Sequence, residues 1–247
     1  MDMVNDDHEI LIHPRRGRRE KSLPQCGLLV VNPSEAQDAH RRWRDNGGEA
    51  RSFFNSQLTV EALGRSFLAG PAIGAPMAAI AMEKLIVLGA ESIVLFGWCG
   101  AIAEDLHIGD VVVPDKAVSG EGTSKNYPHL QPLTPHCAAS DDLREWLGTK
   151  GMVTRSGTVW STDAIFREDR RVLMDLRETQ GVAAVDMEFS ALCAVVAFRR
   201  IAFSAILVVS DELSGKKWLP GFGMPRFIEA KSEVLDLLLQ GADLWRR

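Results

Sequence analysis

The chain has no apolar run near the roughly 18 residues that a membrane-spanning helix needs. No membrane partner is expected. Its first ten residues, MDMVNDDHEI, are acidic and lack a hydrophobic segment, so they do not read as a signal peptide. An excess of positive charge is also missing. Lys and Arg number 28 against 33 Asp and Glu, a net charge of -5, which gives no electrostatic case for nucleic acid or an anionic membrane. Cysteine is sparse: Cys26, Cys99, Cys137 and Cys193 are scattered, with no CxxC pair and no zinc spacing. A reduced thiol set in a cytoplasmic protein is the expectation. His8, His13, His40, His107, His129 and His136 show no HxxxH spacing and read as surface or internally satisfied side chains. No Gly-rich dinucleotide or ATP fingerprint occurs, so neither an organic cofactor nor a metal is expected.

What is present is ordinary globular composition, 46% hydrophobic and 25% charged over 247 residues. Residues 1–24 read as an N-terminal arm and 25–247 as one domain. Within the arm, HPRRGRREKSLP places Arg15, Arg16, Arg18, Arg19 and Lys21 between two prolines. That is a solvated tail, or an arm that reaches an anion or a neighbouring subunit.

Beyond the arm, strand and helix patterns alternate. CGLLVV, RSFLAG, SIVLFGWCG, GDVVVPDKAV, MVTRSGTVWS, VAAV and FSAILVVS read as strands. The helices are APMAAIAMEKLIVLGA, DDLREWLGTKG, FREDRRVLMDLRETQG, EFSALCAVVAFRR and PRFIEAKSEVLDLLLQGADLW. Several strands are apolar on both faces, which predicts a mixed or mostly parallel sheet covered by helices. Ligands of such folds bind beyond the strand ends. Three polar clusters follow apolar strands: GWCGA, DMEFS and SDELS.

Asp186 and Glu188 open a helix that is otherwise almost wholly apolar. A buried carboxylate there needs water or partners, and the free N–H groups of a first helical turn supply some. Asp211 and Glu212 repeat the situation. Taken singly, Asp186 reads as an N-cap with Glu188 as its partner, and Ser210 with Asp211 as a turn. Taken together in one crevice, an ionised carboxylate can accept from sugar hydroxyls while a protonated one donates to a leaving base.

GAPMAAIAMEKLIVLGAESIVLFGWCGAI…LHIGDVVVP, VDMEFSAL and VVSDEL, with EGTSKNYP and VWSTDAIF between them, resemble the nucleoside phosphorylase/nucleosidase superfamily, of the purine nucleoside and uridine phosphorylase type. The resemblance runs from about Leu28 to Ser214. It implies a single-domain three-layer α/β/α sandwich with a twisted mixed central sheet. The implied reaction is cleavage of a nucleoside N-glycosidic bond, normally with inorganic phosphate as co-substrate and in a homo-oligomer (dimer, trimer or hexamer). By motif, Glu188 would hold the ribose hydroxyls, Met187 would pack on the sugar and Asp186 would support that loop. Asp211 would protonate the purine, with Ser210 beside it, and Trp160 would stack on the base. Asp211 favours a purine over uridine, although EGTSKNYP has a uridine-phosphorylase look.

The chain departs from the pattern where phosphate should sit. Leu95 occupies the position of an arginine and Trp98 that of a hydroxyl residue, and the early loop reads VNPSE, with Glu35 where a second arginine is expected. Gly97 and Gly100 can still offer backbone N–H groups, and Arg51 lies where relatives donate an arginine across an interface. Phosphorolysis is the leading expectation. A nucleosidase that uses water, with Glu35 near it, and a non-catalytic nucleoside-binding protein are the two others. WLPGFGMP is either a flap over the pocket or a plain turn.

Overall fold

The computed structural model describes residues 10–128 and 132–241. His8 and His129 lie outside them. Twelve strands and six helices follow in chain order among the described residues. They are β1 Cys26–Val30, α1 Pro33–Asp45, β2 Glu49–Phe53, β3 Ser56–Val60, β4 Ser66–Gly70, α2 Ala75–Val87, β5 Ser92–Ala101, β6 Val111–Val112 and β7 Lys116–Gly120. Then come α3 Cys137–Thr149, β8 Thr154–Arg155, β9 Thr158–Thr162, α4 Arg170–Gln180, β10 Val182–Asp186, α5 Phe189–Arg199, β11 Ala202–Glu212, β12 Leu219–Pro220 and α6 Pro225–Gln240.

The strands form one mixed sheet around β5. β1 and β11 flank β5 in parallel, and β10 pairs its far end in the antiparallel sense. Alternation along the central strands builds two cores. Leu29, Val31, Leu95, Ala205 and Leu207 face α2 and α5. Their neighbours Leu28, Val30, Val94, Phe96, Ile206 and Val208 face α1, α3 and α6. Strand residues of period two therefore feed both helical layers, which explains why these strands read as continuous apolar runs. The three-layer α/β/α architecture expected from the sequence is the one observed.

Two expectations change. The GDVVVPDKAV and MVTRSGTVWS stretches are each split into two strands, β6 with β7 and β8 with β9. SDELS is not a turn. β11 continues through Asp211 and Glu212 because β12 pairs antiparallel with that end, Asp211 opposite Pro220 and Glu212 opposite Leu219. The β2–β3 hairpin has no counterpart in the sequence reading; its strands are polar and half-exposed, so no apolar alternation marks them.

Candidate active site

Three strand ends converge on one cavity of about 430 Å³. β5 contributes Trp98, Cys99 and Gly100, β10 and the start of α5 contribute Asp186, Met187 and Glu188, and β11 contributes Ser210 and Asp211. A register shift between Val209 and Asp211 inserts Ser210 into the β11–β5 pairing, and a bulge of this kind re-aims the side chains next to it. Asp211 then stands opposite Gly100. A Cβ on Gly100 would lie 2.5 Å from Leu213 Cδ1 and 3.2 Å from Asp211 Oδ2, so glycine lets the two strands close here.

Asp186 is buried and fully engaged. Its Oδ1 accepts from the Ser161 hydroxyl at 2.5 Å, and its Oδ2 accepts from the N–H groups of Phe189 at 2.7 Å and Glu188 at 3.2 Å. It thus caps the first turn of α5 and fixes the residue that follows Met187. Burial pushes its carboxyl above the usual aspartate range, against these hydrogen bonds. Glu188, the N-cap residue of α5, accepts the Gly74 N–H at 2.6 Å. Gly74 is the N-cap of α2, at φ +83, so one carboxylate stands at two helix N-termini. Burial first, then Asp186, raise Glu188 above its ordinary value.

Two carboxylates in this region carry no sequence signal of their role. Glu121 is buried behind α5 and accepts from the hydroxyls of Ser190 and Ser119, each at 2.9 Å, and from the N–H groups of Thr123 and Ser124. Burial alone would raise it; the donors from Ser124, Thr123 and Ser190 outweigh burial and hold it below the usual range. Glu168 lines the cavity itself. It sits in FREDRR, which reads as the polar start of an amphipathic helix. In the structure α4 begins only at Arg170 with Asp169 as N-cap, so Glu168 stays in the loop that faces the cavity. Burial and Asp211 push it up to about 7.

Other expected residues fall elsewhere. Trp160 is not in the cavity wall. Ser161 faces Asp186, so on a strand its neighbour points to the opposite side, where Trp160 packs on the cluster of Ile102, Leu173 and Leu176. Phe166, Trp98, Trp218 and Phe222 are the aromatics that line the cavity. Gly97 is enclosed in β5, where an added Cβ would sit 2.8 Å from Val31 Cγ2, and it is not in the wall. Arg51 lies on β2 and donates to the Lys21 carbonyl at 3.2 Å, away from the cavity. His13 and Arg15, from the arm, line a separate cavity of about 910 Å³ with Ile80, Tyr127 and Phe198.

The corner where phosphate was expected is built otherwise. Leu95 is wholly buried in the core under α2 and α5. Trp98 packs edge-on against Phe227 at 5.1 Å and tilted against Phe222 at 6.1 Å. Lys231 Nζ stands 5.3 Å from the Trp98 ring centre, but its charge is paired with Glu35, which is buried and outside the cavity wall. Among the described residues that line the cavity there are four carboxylates, Glu168, Asp186, Glu188 and Asp211, and no Lys, Arg or His. This chain's own described lining therefore brings no cation to pair with a phosphate.

The carboxylate-rich crevice beyond the strand ends of this mixed-sheet sandwich is the place where such an α/β fold holds a small-molecule ligand. The chain belongs to the phosphorylase superfamily, whose model matches residues 27–239. It is 29% identical over 210 residues to the guanosine phosphorylase of Halorubrum lacusprofundi, covering 84% of this chain and 80% of that protein. In fold it is similar to purine nucleoside phosphorylase of Toxoplasma gondii in complex with immucillin-H, with a TM-score of 0.76 at 21% identity over 91% of this chain and 93% of the other. It is similar also to AMP nucleosidase of Bacteroides thetaiotaomicron, with a TM-score of 0.68 at 21% identity over 90% and 91%. The family cleaves glycosidic bonds of nucleosides.

Proposed function

We propose that this chain cleaves the N-glycosidic bond of a purine nucleoside with water as the nucleophile. The observation that carries the choice of water is the cavity wall, with four carboxylates and no cation among the described residues. A phosphate with between one and two negative charges would enter that field unpaired. Asn32 and Trp98 line the same wall, and Asn32 Oδ1 and Trp98 Nε1 have no partner. One acceptor and one donor suit a neutral water better than an anion. Glu188 holds the ribose hydroxyls, Met187 packs on the sugar, and Asp211 with Ser210 faces the heterocycle. The aromatic contact to the base comes from Phe166 or Trp218 rather than Trp160.

Phosphorolysis is the second reading. The guanosine phosphorylase relative favours it, with the cation supplied from a neighbouring copy through Arg51 or the arm. A panel of nucleosides assayed with and without phosphate separates the two. The expected result is free ribose and a rate indifferent to phosphate. Ribose 1-phosphate as the sugar product, with turnover that stops when phosphate is removed, would refute the use of water. Ligand-induced stabilisation with no product would instead point to a binding protein.

Assembly into a homo-oligomer belongs to the same proposal. Leu11, Ile12, Phe54 and Ile80 are exposed apolar side chains, and all but Leu11 line the larger cavity. Light scattering should give a multiple of 27.2 kDa, and a mass equal to a single chain would remove the idea.

A further inference from the structure

We propose that Glu168, rather than Asp211, carries the proton that the leaving base receives. This rests on the reading of the site as a glycosidic-cleavage centre and adds its acid.

Asp211 has both oxygens already engaged by neighbours. Its Oδ1 takes the Ser210 hydroxyl at 2.6 Å and its Oδ2 takes the Trp218 indole N–H at 2.7 Å. The indole can only donate, so a proton on Oδ2 would displace it. Glu168 lines the same cavity and accepts no hydrogen bond from any described residue. Burial and the Asp211 carboxyl both oppose a charge on Glu168, and no donor among the described residues offsets them, so Glu168 holds its proton. The charged groups facing Glu168 are Asp211 on β11 and, elsewhere in the wall, Asp186 and Glu188; the Cys99 thiol is titratable but buried, and burial pushes it well above the ordinary thiol range. No cation lines the cavity among the described residues to draw that proton off. Burial and Asp211 place the titration of Glu168 at about 7, where a general acid is both protonated and willing to donate.

The step balances as follows. The Glu168 O–H bond breaks and its proton bonds to the imidazole ring of the purine. The C1′–N9 bond breaks and its electron pair stays with the heterocycle, which leaves neutral. The oxygen of water bonds to C1′, and the proton that water sheds passes to solvent, from which Glu168 is recharged. Asp211, with Ser210 and Trp218, fixes the edge of the base.

The test compares wild type, E168Q and E168D on a purine nucleoside and on its 7-methylated analogue. The analogue's ring is already cationic and needs no proton to leave. For the unmodified nucleoside, E168Q should lose about 100-fold or more in kcat/KM. The wild-type fall in rate as pH rises through about 7 should vanish with it. On the methylated analogue the loss should shrink to within about 5-fold. E168D should keep the pH dependence, because it keeps an acid. A stability readout is independent of turnover. The folded state holds the Glu168 proton from the unfolded value of 4.5 up to about 7, so that group's contribution is lost as pH rises through this window. E168Q should therefore melt higher than wild type at pH 8 and no higher at pH 4. Unchanged turnover and pH profile in E168Q would overturn the assignment, as would equal losses on both substrates. If the wild type cleaves neither nucleoside, with or without phosphate, the glycosidic-cleavage reading itself fails.

Discussion

Replacing Glu188 with Ala is expected to lower kcat/KM for a ribonucleoside by about 10²–10⁴. A hydrogen bond to a charged group is worth about 1.5–3 kcal/mol, and a carboxylate that grips two vicinal hydroxyls loses two of them. On the proposed reading that role falls to one side chain: Glu188 is held at 2.6 Å by the Gly74 N–H and stands at the first turn of α5. The fold should tolerate the change. Burial and the nearby Asp186 both oppose the charge of Glu188, so its removal relieves repulsion while leaving one N–H without its acceptor. The check is a comparison of a ribonucleoside with its 2′,3′-dideoxy analogue. Wild type should prefer the first strongly, and the variant should barely discriminate. A variant that kept its preference would place the ribose elsewhere.

Phe189→Ala is expected to reduce unfolding free energy by about 3–5 kcal/mol, the usual range for removal of a buried aromatic. Phe189 is fully buried, and its ring stacks on Phe203 of β11 at 6.0 Å. It also begins α5, and its N–H is one of the two that Asp186 holds. One side chain therefore ties the core to the turn that carries Glu188. Urea unfolding should show a lower midpoint at unchanged slope. Activity should fall further than the unfolded fraction explains, because Glu188 precedes the gap. A loss below about 1.5 kcal/mol would mean that α5 is anchored by its other apolar residues instead.

Much of the fold was legible because the central strands and α5 are apolar enough to leave few alternatives. SIVLF and FSAILVV can be buried on both faces only in a covered sheet. The β2–β3 hairpin was not legible, since EARSF and SQLTV carry no strong apolar alternation. Nor was the end of β11, where Asp211 and Glu212 read as a turn. Only the antiparallel pairing with β12, the two-residue strand Leu219–Pro220 inside a stretch that carries no strand pattern, extends it. In the site, Asp186, Met187, Glu188, Ser210 and Asp211 come together in the cavity wall as the motifs suggested. Trp160 does not, because a strand sends neighbouring residues to opposite faces and the motif alone does not fix the register.

The order of apolar runs and breakers determined the layered α/β architecture, and the acids placed just after those runs marked strand ends that line one cavity. What the tertiary structure alone decided is the company each acid keeps. Glu168 shares a cavity with Asp211, and Lys231, beside Trp98, pairs with Glu35. The reason is physical: the charge state of a carboxyl depends on burial and on neighbours from distant parts of the chain, and local sequence records neither.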